Sequence, residues 1–80
     1  MSLKDELESE IKKWTGKLDS ALKSAKATDE QGKKLLLNIK AYMEDSGHFL
    51  AKDELVKSFE CLIWAWALLE TGKNLGHLAA

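Results

Sequence analysis

The sequence has 80 residues, of which 45% are hydrophobic and 31% charged, as in one small globular domain with a solvated exterior. Twelve basic and thirteen acidic side chains give a net charge of -1, and every basic residue is a lysine. Without arginine or a positive excess, a general nucleic-acid binder is disfavoured. The single cysteine, Cys61, rules out an internal disulfide and indicates a reducing compartment. No apolar run approaches the roughly 20 residues of a membrane span and no signal-peptide pattern precedes the charged start, so we expect a cytoplasmic protein.

A first helix is predicted over about residues 3–27. Its apolar residues recur at spacings of three and four, which places them on one stripe of a helix. They are Leu3, Leu7, Ile11, Trp14, Leu18, Ala21, Leu22 and Ala25. Gly16 lies off this stripe and the pattern continues through it, so we predict one uninterrupted helix.

A second helix is predicted over residues 29–51, with Thr28 as its N-cap and Gln31 completing a capping box. Its core face comprises Leu35, Ile39, Tyr42, Met43, Ser46, Phe49 and Leu50. Asp53 is the predicted N-cap of a third helix over residues 54–72 or slightly beyond, ended by Gly72 or Gly76. Its inward residues are Leu55, Phe59, Leu62, Ile63, Trp66 and Leu69. Short links without proline predict an all-α fold, an up-and-down antiparallel three-helix bundle in one domain over residues 1–80.

The third helix is apolar on more than one side, which makes it the first candidate for a functional surface. Cys61, Trp64, Ala65 and Leu68 project opposite or oblique to the predicted inward face, and the second helix has a weaker counterpart in Leu37 and Ala41. One interpretation is that the third helix sits between the other two and buries a wide arc. The other is an interface for self-association or for a protein partner, since contiguous exposed apolar patches mark such sites. We favour the interface, formed by Leu37, Ala41, Cys61, Trp64 and Leu68.

Polar residues of the second helix form the second candidate site. Asn38 and Asp45 flank its apolar stripe beside Tyr42, and we expect Tyr42 and Asp45 to hydrogen-bond a neighbouring helix. The alternative is that they contribute to a small-ligand site. A metal centre is disfavoured because it needs three or four converging ligands, and the chain offers one Asp-x-x-His without a second copy. Nucleophilic catalysis is disfavoured because Cys61 lies among apolar residues and no base is placed beside it. We therefore predict no enzyme activity, no catalytic residue, no metal and no cofactor.

Three stretches carry a resemblance to a known family: residues 41–50 (AYMEDSGHFL), the pair Phe59-Glu60, and residues 64–72 (WAWALLETG). They resemble the small archaeal proteins classified as domain of unknown function 357, over roughly residues 36–72. Members have a similar Ala-Tyr, Asp and Phe pattern on one helix and a Phe-Glu, aromatic-Ala and Leu-acid pattern on the next. This chain differs in the turn at residues 52–54, and has Ala67 in place of glycine and Glu70 in place of aspartate.

The resemblance implies an archaeal, cytoplasmic three-helix bundle without an established activity. Some relatives are joined to nucleotidyltransferase-like domains, which implies an accessory or docking role. The family's Tyr, Asp and Glu positions correspond here to Tyr42, Asp45, Glu60 and Glu70, the candidate ligand-binding residues.

Three functions therefore remain open from the sequence. The preferred one is a non-catalytic interaction or self-association module. The second is a small-ligand or metal-binding bundle that uses Tyr42, Asp45, Glu60 and Glu70. The third is a nucleic-acid accessory module that uses Lys33, Lys34 and Lys40, ranked last because acids surround these lysines.

Overall fold

The computed structural model describes residues 2–80 and contains three helices, α1 (Leu3–Ser24), α2 (Glu30–Ala51) and α3 (Leu55–Asn74). Two short strands, β1 (Lys26–Ala27) and β2 (Leu78–Ala79), pair antiparallel. The start of α1 lies beside the α2–α3 turn, where Lys4 Nζ is 3.1 Å from Asp53 Oδ2. Since β1 and β2 meet at the opposite end, consecutive helices run antiparallel. The predicted all-α three-helix fold is confirmed.

The core lies along α3, which contacts both other helices. The contact between α2 and α3 is the most extensive, and α1 packs mainly against α3. The buried hydrophobic side chains are Ile11, Leu18, Ile39, Leu55, Leu62, Ala65, Leu69 and Leu78. Burial of this apolar surface is the main favourable contribution to folding in a chain of this size.

A buried pair of serines sets the register of α2 against α3. The hydroxyl oxygens of Ser46 and Ser58 are 2.9 Å apart, and the Ser58 hydroxyl donates to the Ser46 carbonyl at 2.8 Å. Because the two helices are antiparallel, pairs of residues whose numbers add up to about 104, as those of Ser46 and Ser58 do, lie at the same level.

The predicted boundary between the first two helices is wrong by a few residues. Helix α1 ends at Ser24, because Ala25 is extended and the next two residues pair with β2. Asp29, and not Thr28, is the N-cap of α2, and its carboxylate accepts the Gly32 N–H at 2.8 Å. The Thr28 hydroxyl donates instead to the Gly76 carbonyl.

The predicted ends of the third helix also need correction. Asp53 has a left-handed φ of 62° and lies in the turn, so Glu54 is the N-cap, without a side-chain hydrogen bond. Helix α3 continues through Gly72, which is buried, to Asn74. Gly76 follows with φ of 80°, a left-handed conformation that glycine adopts without the strain of a Cβ atom.

Two assignments around α3 are exchanged relative to the sequence prediction. Ile63, predicted to face inward, is 53% exposed, whereas Ala65, predicted to project away from the core, is fully buried. The centre of the buried arc passes through Leu62, Ala65 and Leu69, because α3 is covered by α2 on one side and α1 on the other.

Among residues 2–80, no helix has the length and apolarity required to cross a bilayer.

Candidate interaction site

A groove of about 400 Å³ runs between α2 and α3. Its walls come from these two helices alone, with four residues from α2 and two from α3. They are Asn38, Ala41, Tyr42, Asp45, Trp64 and Leu68. The groove therefore joins residues of both candidate sites, the apolar interface and the polar ligand site.

Two stacked aromatic rings form the centre of this groove. The ring centroids of Tyr42 and Trp64 are 6.3 Å apart, with an angle of 13° between the ring planes. Tyr42 is half-buried and packs against the core, whereas Trp64 is 58% exposed. The stack holds one face of the indole in place and leaves more than half of the side chain in solvent.

The polar side chains of the groove have no partners within the described part of the chain. Among residues 2–80, neither the Tyr42 hydroxyl nor the Asp45 carboxylate makes a hydrogen bond or an ion pair. The expected hydrogen bond from these residues to a neighbouring helix is therefore absent. The buried Ser46–Ser58 pair makes the polar contact between α2 and α3 instead.

Cys61 lies one turn before Trp64 on α3 and is half-buried. Burial raises the pKa of the Cys61 thiol, and the negative charges of Asp45 and Glu60 raise it further. The thiolate is the reactive form of cysteine, so these surroundings keep the side chain in its unreactive form at neutral pH.

The remaining predicted interface residues border the groove. Ala41 and Leu68 line it beside Trp64, as the interface prediction requires. Leu37 is 69% exposed and lies one helical turn from Ala41, outside the lining. The structure therefore brings Ala41, Trp64 and Leu68 together, with Cys61 and Leu37 at the margins.

The four predicted ligand-binding residues do not converge. Tyr42 and Asp45 line the groove, whereas Glu60 and Glu70 do not. Glu70 is six residues beyond Trp64, which at about 100° per residue places it about 120° away around α3, toward α1. Within residues 2–80, no three His, Cys, Asp or Glu side chains are grouped so that they could hold a metal ion.

The three lysines of the nucleic-acid hypothesis are spread over different surroundings. Lys33 Nζ is 2.9 Å from Glu30 Oε1. Lys40 lines a separate groove between α1 and α2, which it shares with Asp19 and Glu44. Acidic side chains thus lie beside Lys33 and Lys40, which weakens a positive patch.

A second apolar groove, of about 210 Å³, lies between α1 and α3 and was not anticipated from the sequence. Trp14 and Trp66 meet there edge to face, with ring centroids 5.7 Å apart and an interplanar angle of 89°. Phe59, Leu62 and the exposed Ile63 complete its lining. Trp66 Nε1 is buried and has no hydrogen-bond partner among the described residues. The tryptophans on facing helix stripes were the available signal, but helix periodicity alone does not pair them.

The fold and the groove define a small antiparallel three-helix protein with an aromatic surface groove between its last two helices. The chain belongs to the family described as "Protein of unknown function (DUF357)", whose model matches residues 13–78. It is also similar to the crystal structure of protein AF1782 from Archaeoglobus fulgidus, a DUF357 protein. The two sequences are 40% identical, and the match covers 98% of this chain and 97% of that one with a TM-score of 0.88. No curated protein matches the chain.

Proposed function

We propose that this protein is a non-catalytic module that pairs with a second copy of itself through the groove between α2 and α3. The contact surface, called here the Trp64 face, consists of Ala41, Tyr42, Trp64 and Leu68, with Leu37 and Cys61 at its edges. The observation that carries the proposal is the exposed indole of Trp64, which stacks on the ring of Tyr42.

The energy available from Trp64 is large for one side chain. A tryptophan can bury up to about 250 Å², and the exposed 58% corresponds to about 145 Å². At about 25 cal/mol per Å², full burial contributes about 3.6 kcal/mol per copy, or about 7 kcal/mol for both indoles of a dimer. Association costs an estimated 4–15 kcal/mol of translational and rotational freedom, so the two indoles supply a large share of what a dimer needs.

The charge of the chain is compatible with a second copy as the partner. The net charge of -1 creates little repulsion between two identical chains. The stacked indole is also partly ordered before binding, which lowers the entropy cost of immobilising it at an interface. Aromatic side chains in such ordered positions are typical anchors of protein interfaces.

The surroundings of the candidate nucleophile support a non-catalytic role. The raised pKa of Cys61 keeps its thiol protonated, and neither histidine lines the groove. His77 lies beyond the C-terminal end of α3, where its Nδ1 is 2.7 Å from Asp29 Oδ2.

Light scattering across a concentration series tests the proposal with two matched variants. Trp64→Glu places a charge on the Trp64 face, and Ile63→Glu places the same charge on a neighbouring residue of similar exposure, 53%, on the other flank of α3. We expect the wild type and Ile63→Glu to be dimers, and Trp64→Glu to be a monomer with unchanged helix content. A monomeric wild type at high concentration, or a dimeric Trp64→Glu variant, would contradict the proposal.

A further inference from the structure

We propose that the two copies pair antiparallel across their α2 helices, so that Lys34 of each copy faces Asp45 of the other. This inference rests on the proposed self-association through the Trp64 face. It specifies the orientation of the partner and the charge pairs that fix that orientation.

Lys34 and Asp45 lie on the same side of α2, three turns apart. Eleven residues at about 100° each return to within about 20° of the starting direction, and at about 1.5 Å per residue they span about 16 Å. That distance is too long for an ion pair within one chain. Both residues are exposed, and among residues 2–80 neither takes part in an ion pair.

The sequence between these charges is suited to a two-fold axis. In a two-fold interface, residue i of one copy contacts residue j of the other, and j contacts i. An axis midway between Lys34 and Asp45 falls between residues 39 and 40, with Asn38 and Ala41 next to it on either side. Both residues are exposed and line the groove. Ala41 has the small side chain that lets two helices approach closely at the crossing.

The register between α2 and α3 places Trp64 at the same level as this axis. In the register that Ser46 and Ser58 set, position 40 of α2 lies opposite Trp64. The indoles of both copies would then lie close to the axis, with one Lys34–Asp45 pair at each end. Such an arrangement has an apolar centre and a charged rim, as protein interfaces usually do.

The same charges disfavour the parallel orientation. In a parallel pairing of the α2 helices, Lys34 would face Lys34 and Asp45 would face Asp45. Like charges in contact oppose association, whereas the antiparallel pairing joins opposite charges at both ends. The apolar residues alone would allow either orientation, and the unpaired charges of α2 favour the antiparallel one.

The test is a charge exchange measured by analytical ultracentrifugation at low salt. In Lys34→Glu alone, two acids face each other at both ends of the dimer, and in Asp45→Lys alone, two lysines do. We expect each variant to associate about tenfold more weakly than the wild type, since exposed ion pairs are individually weak. An equimolar mixture of the two variants should associate as the wild type does, because opposite charges then face each other at both ends of the mixed dimer. The double variant on one chain should recover as well.

Lys40→Glu is the matched control, since Lys40 lies on α2 about 120° around the helix from Lys34. It should associate as the wild type does, and circular dichroism should show equal helix content in all variants. A wild-type dimer whose affinity is unchanged by either single variant, or single variants that do not recover on mixing, would overturn the antiparallel register and leave the proposed self-association standing. A wild type that stays monomeric would overturn both.

Discussion

Replacement of Gly32 by alanine is expected to destabilise the protein, whereas the same replacement at Gly47 is expected to stabilise it. A Cβ atom at Gly32 would overlap the backbone carbonyl oxygen of His77 and lie 3.1 Å from the Cα atom of Ala27. Both neighbours are backbone atoms, so no side-chain rotation relieves the overlap. A Cβ atom at Gly47, toward the C-terminal end of α2, meets nothing within 4 Å.

The size of the effect at Gly32 follows from what the displaced segment loses. Moving His77 away breaks the hydrogen bond of 3.0 Å from the Thr28 N–H to the His77 carbonyl. It also exposes the side chain of Leu78, which is only 3% exposed in the folded protein. The leucine contributes about 1.5–3 kcal/mol and the hydrogen bond about 1 kcal/mol. Two effects offset part of this loss. Alanine favours the helix over glycine by up to about 1 kcal/mol, and the displaced segment gains conformational entropy. A net loss of about 2 kcal/mol remains.

Thermal unfolding followed by circular dichroism measures both the expected loss of stability in Gly32→Ala and the expected gain in Gly47→Ala. For a domain of this size, 1 kcal/mol shifts Tm by about 4–8 °C, so Gly32→Ala should lower Tm by about 8–16 °C. Gly47→Ala should raise Tm by about 4–8 °C, since it gains up to about 1 kcal/mol. A Gly32→Ala protein as stable as Gly47→Ala would refute the close contact between α2 and the C-terminal segment.

Two further predictions concern polar contacts. The His77 hydrogen bond and the Gly32 N–H lower the pKa of Asp29, so its carboxylate stabilises the folded state above the ordinary pKa of 3.8. The urea midpoint of the wild type should exceed that of Asp29→Asn near neutral pH. This difference in midpoint should disappear as pH falls from 3.8 through the lowered pKa of Asp29 in the folded state. A difference that persists in acid would contradict the prediction. Ser58→Ala should cost about 1–3 kcal/mol in urea unfolding, because it leaves buried polar groups of Ser46 unpaired. The double replacement of both serines should cost less than the sum of the single ones, and strict additivity would show that the two do not interact.

The helices were predictable because their information is local. Apolar spacings of three and four in the first segment, and the polar start of the second helix, depend on neighbouring residues alone. The end of α1 was misplaced because β1 is formed by pairing with residues about 50 positions further along the chain. The hydrophobic periodicity of one segment does not reveal a pairing with such distant residues.

The sequence indicated some of the residues that line the groove but not the geometry of the groove. The exposed Trp64 and its neighbours Ala41 and Leu68 were expected at an interface, and they do line one groove. The exchange of Ile63 and Ala65 was not predictable, because α3 is apolar over most of its circumference and periodicity then defines no single inward direction. The stack of Tyr42 on Trp64 depends on the register between helices, which the buried serines set.

The pairing of β1 with β2 gives the chain a closed topology. The two strands join residues 26–27 to residues 78–79, so α2 and α3 form a hairpin fastened at both ends, by its own turn and by the strand pair. Helix α1 lies outside this closed loop and is joined to it covalently at Ala25 alone. Separation of α2 from α3 therefore requires the strand pair to break, whereas α1 can move away by giving up its packing against α3. The protein is thus organised as a closed hairpin of α2 and α3 with α1 attached at one point, and the Trp64 face lies wholly on the closed hairpin.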